Sequence, residues 1–123
     1  MIYVVSPAKS LDFESDPKTK EYSNLLFPDA FEKLNKVLKK KTRKELSELM
    51  NISETLSNLN YNRNQHRKLP FDLDNAKQAL LAFQGDVYQG IDAENMNVED
   101  LKYAQNHLRI LSGLYGLLRP LDL

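Results

Sequence analysis

The stretch LRILSGLYGLLRPLDL, residues 108–123, is the part of the sequence that decides the fold class. It opens with LRIL (108–111), a continuous apolar run of the kind found in strands that are buried on both faces of a sheet. The runs IYVV (2–5) and ALLAF (79–83) have the same character. Because helical patterns separate the three runs, the sequence predicts an α/β protein (mixed α+β) with short buried strands, helical crossovers and parallel strand pairs.

Capping signals mark the starts of the predicted helices. TRKELSELM opens with Thr42 and has Glu45 three residues later, which is a capping box, and Ser53 opens SETLSNLN in a similar way. Asn97 is the predicted cap of NVEDLKYAQNHL, residues 97–108. The residues predicted to form one buried stripe in DAFEKLNKVLKK are Phe31, Leu34, Val37 and Leu38.

The charges of the chain are segregated although the formal net charge is zero. Residues 31–68 hold ten Lys or Arg and four Glu, a net of +6, and the rest of the chain carries the opposite excess. We therefore predict a basic helical segment over 30–68 that offers a cationic face to an anionic partner. A solvated helix surface without a partner is the alternative. For the whole chain, 1–123, we expect a single domain or the amino-terminal half of a larger one.

Composition excludes several classes of protein. The chain has no Cys, which rules out disulfides, thiolate metal sites and Cys nucleophiles. His66 and His107 are isolated, and the acidic residues show no ligand spacing, so neither a metal site nor a cofactor is predicted. No run approaches the roughly 20 apolar residues of a membrane span, and the start MIYVVSPAKS lacks the basic lead of a signal peptide. These features predict a cytoplasmic protein without a membrane partner.

Gly or Pro, together with charged or aromatic residues, follows each predicted strand, in SPAKSLDF, QGDVYQG and SGLYGLLRP. If the strands are parallel, these three exits converge at one edge of the sheet, where ligands bind in open α/β folds. The residues of this candidate pocket are Lys9, Asp12, Asp86, Tyr88, Tyr115 and Arg119. Lys9 and Arg119 could hold an anion, the tyrosines could stack on a base, and Asp86 could act as acid or base. The alternative is a solvated strand-end lysine and tight turns whose tyrosines fill the sheet edge.

The stretch ELSELMNISETLSNLN (45–60) resembles a helix-hairpin-helix DNA-binding element. Leu46 and Leu49 take the apolar places of its first helix, Ile52 that of the hairpin, and Ser57 the small-residue place. Such a hairpin turns backbone amides toward a phosphate at the start of the second helix. The residues predicted to contact DNA are Lys44, Asn51, Ile52, Ser53, Arg63, Arg67 and Lys68. Two short amphipathic helices packed together are the alternative.

Taken together, SPAKSLDF, ALLAFQGDVYQG and HLRILSGLYGLLRPLDL resemble the YaaA family of peroxide stress proteins (UPF0246) along the whole chain. Members of that family are longer, and this sequence is similar to their amino-terminal half. The resemblance implies a link to limiting intracellular iron and oxidative DNA damage under hydrogen peroxide. It also implies DNA binding through a helix-hairpin-helix element beside a positively charged cleft, and it implies no assigned catalytic residue.

Two functional hypotheses follow from the residues and the resemblance. The first is a cytoplasmic stress protein that binds DNA through backbone phosphates, without sequence preference. The second is an enzyme that acts on a nucleobase, a nucleotide or damaged DNA in the strand-end pocket. Direct ligation of iron is disfavoured, because only scattered carboxylates could serve as ligands.

Overall fold

The computed structural model describes residues 1–8 and 10–123, and it confirms the mixed α/β class. The described chain forms two compact units: a sheet unit, Met1–Phe27 with Phe71–Leu123, and a helical unit, Pro28–Pro70. The elements in chain order are β1 (Tyr3–Val5), α1 (Pro28–Lys39), α2 (Arg43–Met50), α3 (Glu54–His66), α4 (Ala79–Ala82), α5 (Asp86–Ile91), a 3₁₀ turn (Ala93–Asn95), α6 (Val98–His107), β2 (Leu108–Ser112) and β3 (Gly116–Leu118).

The strands of the sheet unit lie in the order β1-β2-β3. β1 and β2 are parallel, with Val5 opposite Ile110, so the predicted parallel pair is confirmed for residues 2–5 and 108–111. β3 returns antiparallel to β2 and places Leu118 beside Ile110. Parallel strands require a crossover connection, and the long segment between β1 and β2 supplies it.

One face of the sheet lies against the core of the sheet unit. Ile110 is fully buried, and Leu118 beside it is 3% exposed. They belong to a cluster with Leu101 and Ala104 of α6 and with Leu80 of α4. The predicted start of α6 is confirmed, because the side chain of Asn97 caps its first turn in a capping box.

The predicted strand at 79–83 is wrong, because Ala79–Ala82 form the short helix α4. The amide of Phe83 donates to the carbonyl of Ala79 at 3.0 Å, which closes a helical turn. The amide of Ala79, at the start of this turn, donates to the carbonyl of Asp122 in the carboxyl-terminal loop at 2.8 Å. Ala and Leu favour helix over strand, and a short apolar run does not distinguish the two by periodicity.

The expectation that the strands are buried on both faces is wrong for β1. Tyr3 is 54% exposed and Val4 is 58% exposed. Adjacent residues of a strand point to opposite faces, so both faces are open at Tyr3 and Val4, while Val5 packs against the core. The strand predicted at 108–111 is also exposed on one side, at Leu111.

The glycine-rich exit after β2 forms a hairpin between β2 and β3. Gly116 begins β3 with a φ of +79°, a conformation that side chains rarely adopt. A Cβ at this position would lie 3.2 Å from Cδ2 of Phe27. The backbone therefore needs glycine at Gly116, for its conformation and for its close neighbour.

In the helical unit, the predicted caps are confirmed. Thr42 and Glu45 form both hydrogen bonds of the capping box at the start of α2. Ser53 caps α3, where its Oγ accepts the amide of Leu56 at 3.2 Å. These caps depend on local sequence alone, which is why the pattern was sufficient to locate them.

The predicted apolar stripe of α1 is only partly buried. Phe31 is buried as expected, but Leu34 and Val37 are 45% and 54% exposed. The buried face instead contains Asn35, one turn after Phe31, and its Nδ2 donates to the carbonyl of Arg67 at 3.2 Å. The buried face of α1 is therefore turned away from Leu34 and Val37, toward a polar side chain that bonds to the end of α3.

Candidate functional site

The turn between α2 and α3 is closed by its own backbone, because the amides of Asn51 and Ile52 both donate to the carbonyl of Ser47. Asn51 ends α2 in the left-handed conformation with a φ of +51°, and both Asn51 and Ser53 are exposed. Ile52 between them is half-buried, and the hydroxyl of Ser47 donates to its carbonyl at 2.9 Å. Asn is one of the few side chains that tolerate this conformation. Helix-hairpin-helix elements usually have a glycine at this position.

The start of α3 has both favourable and unfavourable features for an anion. Its intrahelical bonding begins with the amide of Ser57, which donates to the carbonyl of Ser53 at 2.9 Å. The amides of the preceding turn point out of the helix end, where the helix dipole attracts negative charge. Glu54 in that first turn is itself exposed and acidic, however, and its carboxylate competes with an incoming phosphate for the same positive end.

The structure separates the predicted DNA-contacting residues into two groups. Asn51, Ile52 and Ser53 form the hairpin at the start of α3, whereas Arg63, Arg67 and Lys68 lie at or just beyond its end. Since an α-helix rises ~1.5 Å per residue, the length of α3 places the two groups about 20 Å apart. Lys44 lies in the first turn of α2, away from the end of α2 that leads into the hairpin.

Three contacts bring the cationic residues of the helical unit together. Nε2 of Gln65 donates to the carbonyl of Lys39 at 2.9 Å, and Nδ2 of Asn35 donates to the carbonyl of Arg67 at 3.2 Å. The guanidinium of Arg43 lies 4.1 Å from the ring centroid of Tyr61, a cation–π contact. We call this group the cationic end: Lys39, Lys40, Lys41, Arg43, Lys44, Arg63, Arg67 and Lys68.

Glu45 is the acidic residue in the first turn of α2, at the cationic end. Hydrogen bonds from Thr42 lower the pKa of its carboxyl group, and the ammonium of Lys41, 3.7 Å away, lowers it further. Its charge is therefore committed to the cap of α2. Arg43 was not predicted from the sequence as a contact residue. The feature that could have identified it is its position directly after the Thr42 cap.

A cleft of about 500 Å³ lies in the sheet unit beside α4 and α5. Its wall combines the half-buried ring of Phe83 with polar and acidic side chains. The residues that line it are Ser10, Asp12, Leu80, Leu81, Phe83, Gln84, Gly85, Tyr88, Gln89, Asp92, Ala93 and Glu94. Asp12 and Tyr88 are the candidate pocket residues among them; Ser10, Gln84 and Gln89 lie within the exits SPAKSLDF and QGDVYQG but were not predicted as site residues, and Asp92 lies outside those motifs.

Asp12 is held in a network of hydrogen bonds at the cleft. Its carboxylate accepts the amides of Glu14 and Ser15, each at 3.0 Å, and the hydroxyl of Ser15. The buried ammonium of Lys77 lies 3.5 Å from Oδ2. Hydrogen bonds from Ser15 are the main cause that lowers the pKa of Asp12 far below its usual range, and Lys77 adds to the effect. A carboxylate with so low a pKa is a weak general base near neutral pH.

The hydroxyl and the ring of Tyr88 each make a structural contact. Its hydroxyl donates to the carbonyl of Ser6 at 2.5 Å, and its ring is stacked on Phe83 with the centroids 5.5 Å apart. Burial raises the pKa of this hydroxyl. Tyr88 therefore positions Phe83 in the cleft wall and links α5 to the end of β1.

The remaining candidate pocket residues lie elsewhere. Asp86 is exposed at the start of α5, next to Gly85 of the cleft, and Tyr115 packs edge-on against Phe71 with the ring centroids 6.4 Å apart. Arg119 follows β3, which runs antiparallel to β2, so it leaves the sheet at the end opposite the exits of β1 and β2. Lys9 lies outside the described residues.

Arg119 belongs to a structural network and not to the cleft. Its guanidinium lies 3.0 Å from Oδ1 of Asp122, a fully buried carboxylate, and also donates to the carbonyl of Asn24 at 2.7 Å. The hydroxyl of Ser23 donates to the same oxygen of Asp122 at 2.5 Å. The exits SPAKSLDF and QGDVYQG thus meet in the cleft, but the third exit forms the β2–β3 hairpin and does not line it, so the predicted convergence of all three fails.

Comparison with known proteins gives the chain a family. The model of a family described as "Peroxide stress protein YaaA" matches residues 1–123. The chain belongs to the YaaA family. It is 53% identical to a UPF0246 protein of Aromatoleum aromaticum over 123 residues, which cover all of this chain and 47% of that relative. A UPF0246 protein of Alteromonas mediterranea is also 53% identical, with 48% of its length covered, and one of Flavobacterium johnsoniae is 51% identical, with 49% covered.

The chain thus spans about half the length of the curated relatives it matches, and the matched part is their amino-terminal half. This agrees with the resemblance seen in the sequence.

Within 1–8 and 10–123, no group of three His, Asp or Glu side chains has a geometry that could hold a metal ion. None of the helices in those ranges combines the length and the apolar character needed to cross a lipid bilayer.

Proposed function

We propose that the helical unit binds the phosphate backbone of DNA, without sequence preference, and that this YaaA-family chain acts in the cytoplasm during hydrogen peroxide stress. The observation that carries the proposal is the cationic end, where contacts join the end of α1 and the start of α2 to α3, and each of these segments carries lysine or arginine. Clustered cations release counterions from DNA, which supplies most of the free energy of sequence-independent binding. The links to intracellular iron and to DNA damage are part of this proposal through the family.

The hairpin serves as a second, weaker contact in this proposal. Asn51 and Ser53 are exposed, so the start of α3 is accessible to a phosphate. It lies about 20 Å from the end of α3, and phosphates of one strand follow each other every ~3.4 Å along the DNA axis. One bound duplex can therefore span both contacts. Glu54 weakens the hairpin contact, so the cationic end contributes more of the affinity.

A charge-reversal pair tests the proposal by fluorescence anisotropy with a labelled duplex. Lys44→Glu with Lys68→Glu changes two exposed residues of the cationic end. Lys20→Glu with Lys102→Glu makes the same change of charge at exposed positions of the sheet unit and is the matched control. We expect the first pair to weaken binding by at least about tenfold, since each lost phosphate contact removes a released counterion. Equal losses in both pairs would contradict the proposal.

The second candidate function is an enzyme that acts on a nucleobase, a nucleotide or damaged DNA in the cleft. The supporting observation is the composition of its wall, where the ring of Phe83 lies next to the amide side chain of Gln84. An aromatic face and an amide are the groups that recognise a base by stacking and by hydrogen bonds, and the volume falls in the usual range for small-molecule sites. Asp86 remains the candidate acid or base, next to the cleft.

Calorimetric titration with free nucleobases and nucleotides tests the second candidate. We expect one of them to bind to the wild type, and Gln84→Ala to abolish the heat of binding. Lys9→Ala separates the two functions: loss of peroxide protection with unchanged DNA affinity would indicate a role for Lys9 that is distinct from DNA binding. If no nucleobase or nucleotide gives a heat of binding, the enzyme hypothesis is contradicted.

A further inference from the structure

The outer strand of the sheet, β1, has an unpaired outer edge, and both of its faces are exposed at Tyr3 and Val4. β1 lies at the edge of the order β1-β2-β3, so no described strand pairs with its outer backbone groups. Ile2, Tyr3 and Val4 are 52%, 54% and 58% exposed. Strands with parallel partners are normally covered on both faces, and natural proteins protect a free apolar edge with charges, prolines or a covering element. Ile2–Val4 contain none of those protective residues.

The second face of the sheet is open beyond β1 as well. Side chains of paired residues share a face, and the register places Ile110 and Leu118 on the buried face. Val4, Leu111 and Leu117 therefore lie on the opposite face. Arg109, the partner of Val4, lies there too, half-buried, and its guanidinium donates to the carbonyls of Gln105 and Leu108. Leu111 is 58% exposed, like Val4. We call these residues, Ile2, Tyr3, Val4 and Leu111, the bare sheet edge.

The relatives indicate what covers this surface. The full length of this chain matches only the amino-terminal half of proteins that are about 50% identical to it. Identity at that level implies that the relatives contain the same sheet, including a strand at the place of β1. Their remaining half must then pack somewhere, and an apolar strand edge is the surface that gains most from being covered.

We propose that the bare sheet edge is the docking surface for the carboxyl-terminal half of the YaaA fold, which adds a strand beside β1 and covers Val4 and Leu111. Backbone hydrogen bonds to the outer side of β1 give the added strand its register, and the apolar side chains supply the free energy. This inference does not depend on DNA binding, because it concerns the sheet unit alone.

Co-expression tests the proposal with a defined probe. The probe is the part of the Aromatoleum aromaticum relative that lies beyond its match to this chain, produced together with the tagged 123-residue chain. We expect a one-to-one complex on size-exclusion chromatography with mass detection. Val4→Lys places a charge on the docking surface and should reduce the recovered complex by about tenfold. Val87→Lys is the matched control, since Val87 is 50% exposed on α5, and it should leave recovery unchanged.

Hydrogen exchange on the wild type makes the test independent of any variant. Amides alternate along a strand between its two edges, so those of residues 2–4 that point away from β2 should exchange more slowly in the complex than in the chain alone. Three results would overturn the proposal: no complex on co-expression, a complex in which these amides remain unprotected, or self-association of the chain through Val4 without the probe. The last result would assign the surface to a second copy.

Discussion

Nδ2 of Asn35 on α1 donates a hydrogen bond to the carbonyl oxygen of Arg67, just beyond α3, at 3.2 Å. Asn35 is buried, with 7% of its surface exposed. Together with the bond from Gln65 to the carbonyl of Lys39, the Asn35 bond ties the helix that ends at Lys39 to the end of the helix that carries Arg63. The cationic end thus depends on a polar contact within the core of the helical unit.

We expect Asn35→Ala to lower the free energy of unfolding by about 1–2 kcal/mol, because it removes a buried hydrogen bond and leaves a carbonyl without its donor. Asn58→Ala is the control, since Asn58 is exposed on α3, and it should change stability by no more than about 0.5 kcal/mol. Urea denaturation followed by circular dichroism measures both. A variant of Asn35 as stable as the control would show that the bond contributes nothing to the unit.

The cap of α3 gives a second prediction. Ser53→Ala removes the acceptor of the Leu56 amide and should cost about 1 kcal/mol of stability. Because the hairpin is the weaker contact, the same variant should reduce DNA affinity only slightly at a temperature where it is folded. If Ser53→Ala lowered DNA affinity as much as Lys44→Glu with Lys68→Glu does, the hairpin would not be the weaker of the two contacts.

The sequence predicted what local rules determine. Thr42, Ser53 and Asn97 cap helices as expected, since a cap depends on residues within one turn. The parallel pairing of 2–5 with 108–111 followed from the order of the elements. The helix at 79–83 escaped prediction, because a run of four or five apolar residues fits either state and contacts with the carboxyl-terminal loop select one.

The candidate sites were less predictable because they depend on tertiary geometry. The convergence of three strand exits assumed three parallel strands, and the antiparallel β3 sends Arg119 to the other end of the sheet. The hairpin and the cations are neighbours in the sequence, yet α3 continues to His66 and carries Arg63 away from Ser53. Helix length, which the pattern left open, decides that separation.

Acid should weaken the sheet unit through Asp12. Hydrogen bonds from Ser15 and the charge of Lys77 lower the pKa of Asp12 in the folded chain. The stabilisation is therefore present above the unfolded pKa, about 4, and is lost as the pH falls toward the folded pKa. Asp12→Asn should lower the melting temperature at pH 7, and the difference from wild type should shrink below about pH 4. A difference that does not depend on pH would exclude this role of the charge.

Two glycines of the β2–β3 hairpin should respond oppositely to alanine. Gly116→Ala meets a φ of +79° and a ring atom of Phe27 at 3.2 Å, so it should cost more than about 1 kcal/mol. Gly113→Ala has open space at its Cβ and an ordinary φ, so it should be neutral or stabilise by up to ~1 kcal/mol. Thermal unfolding of the two variants measures the contrast, and equal effects would refute the assigned backbone strain.

The central claim, that the cationic end binds DNA phosphates, is tested most directly by the salt dependence of wild-type affinity. Each phosphate contact contributes about −0.9 to the slope of log affinity against log salt concentration for duplex DNA. We predict a slope of about −3 or steeper for the wild type, and a slope shallower by about 2 for the Lys44→Glu and Lys68→Glu pair. A wild-type affinity that stays constant as salt increases would contradict the claim.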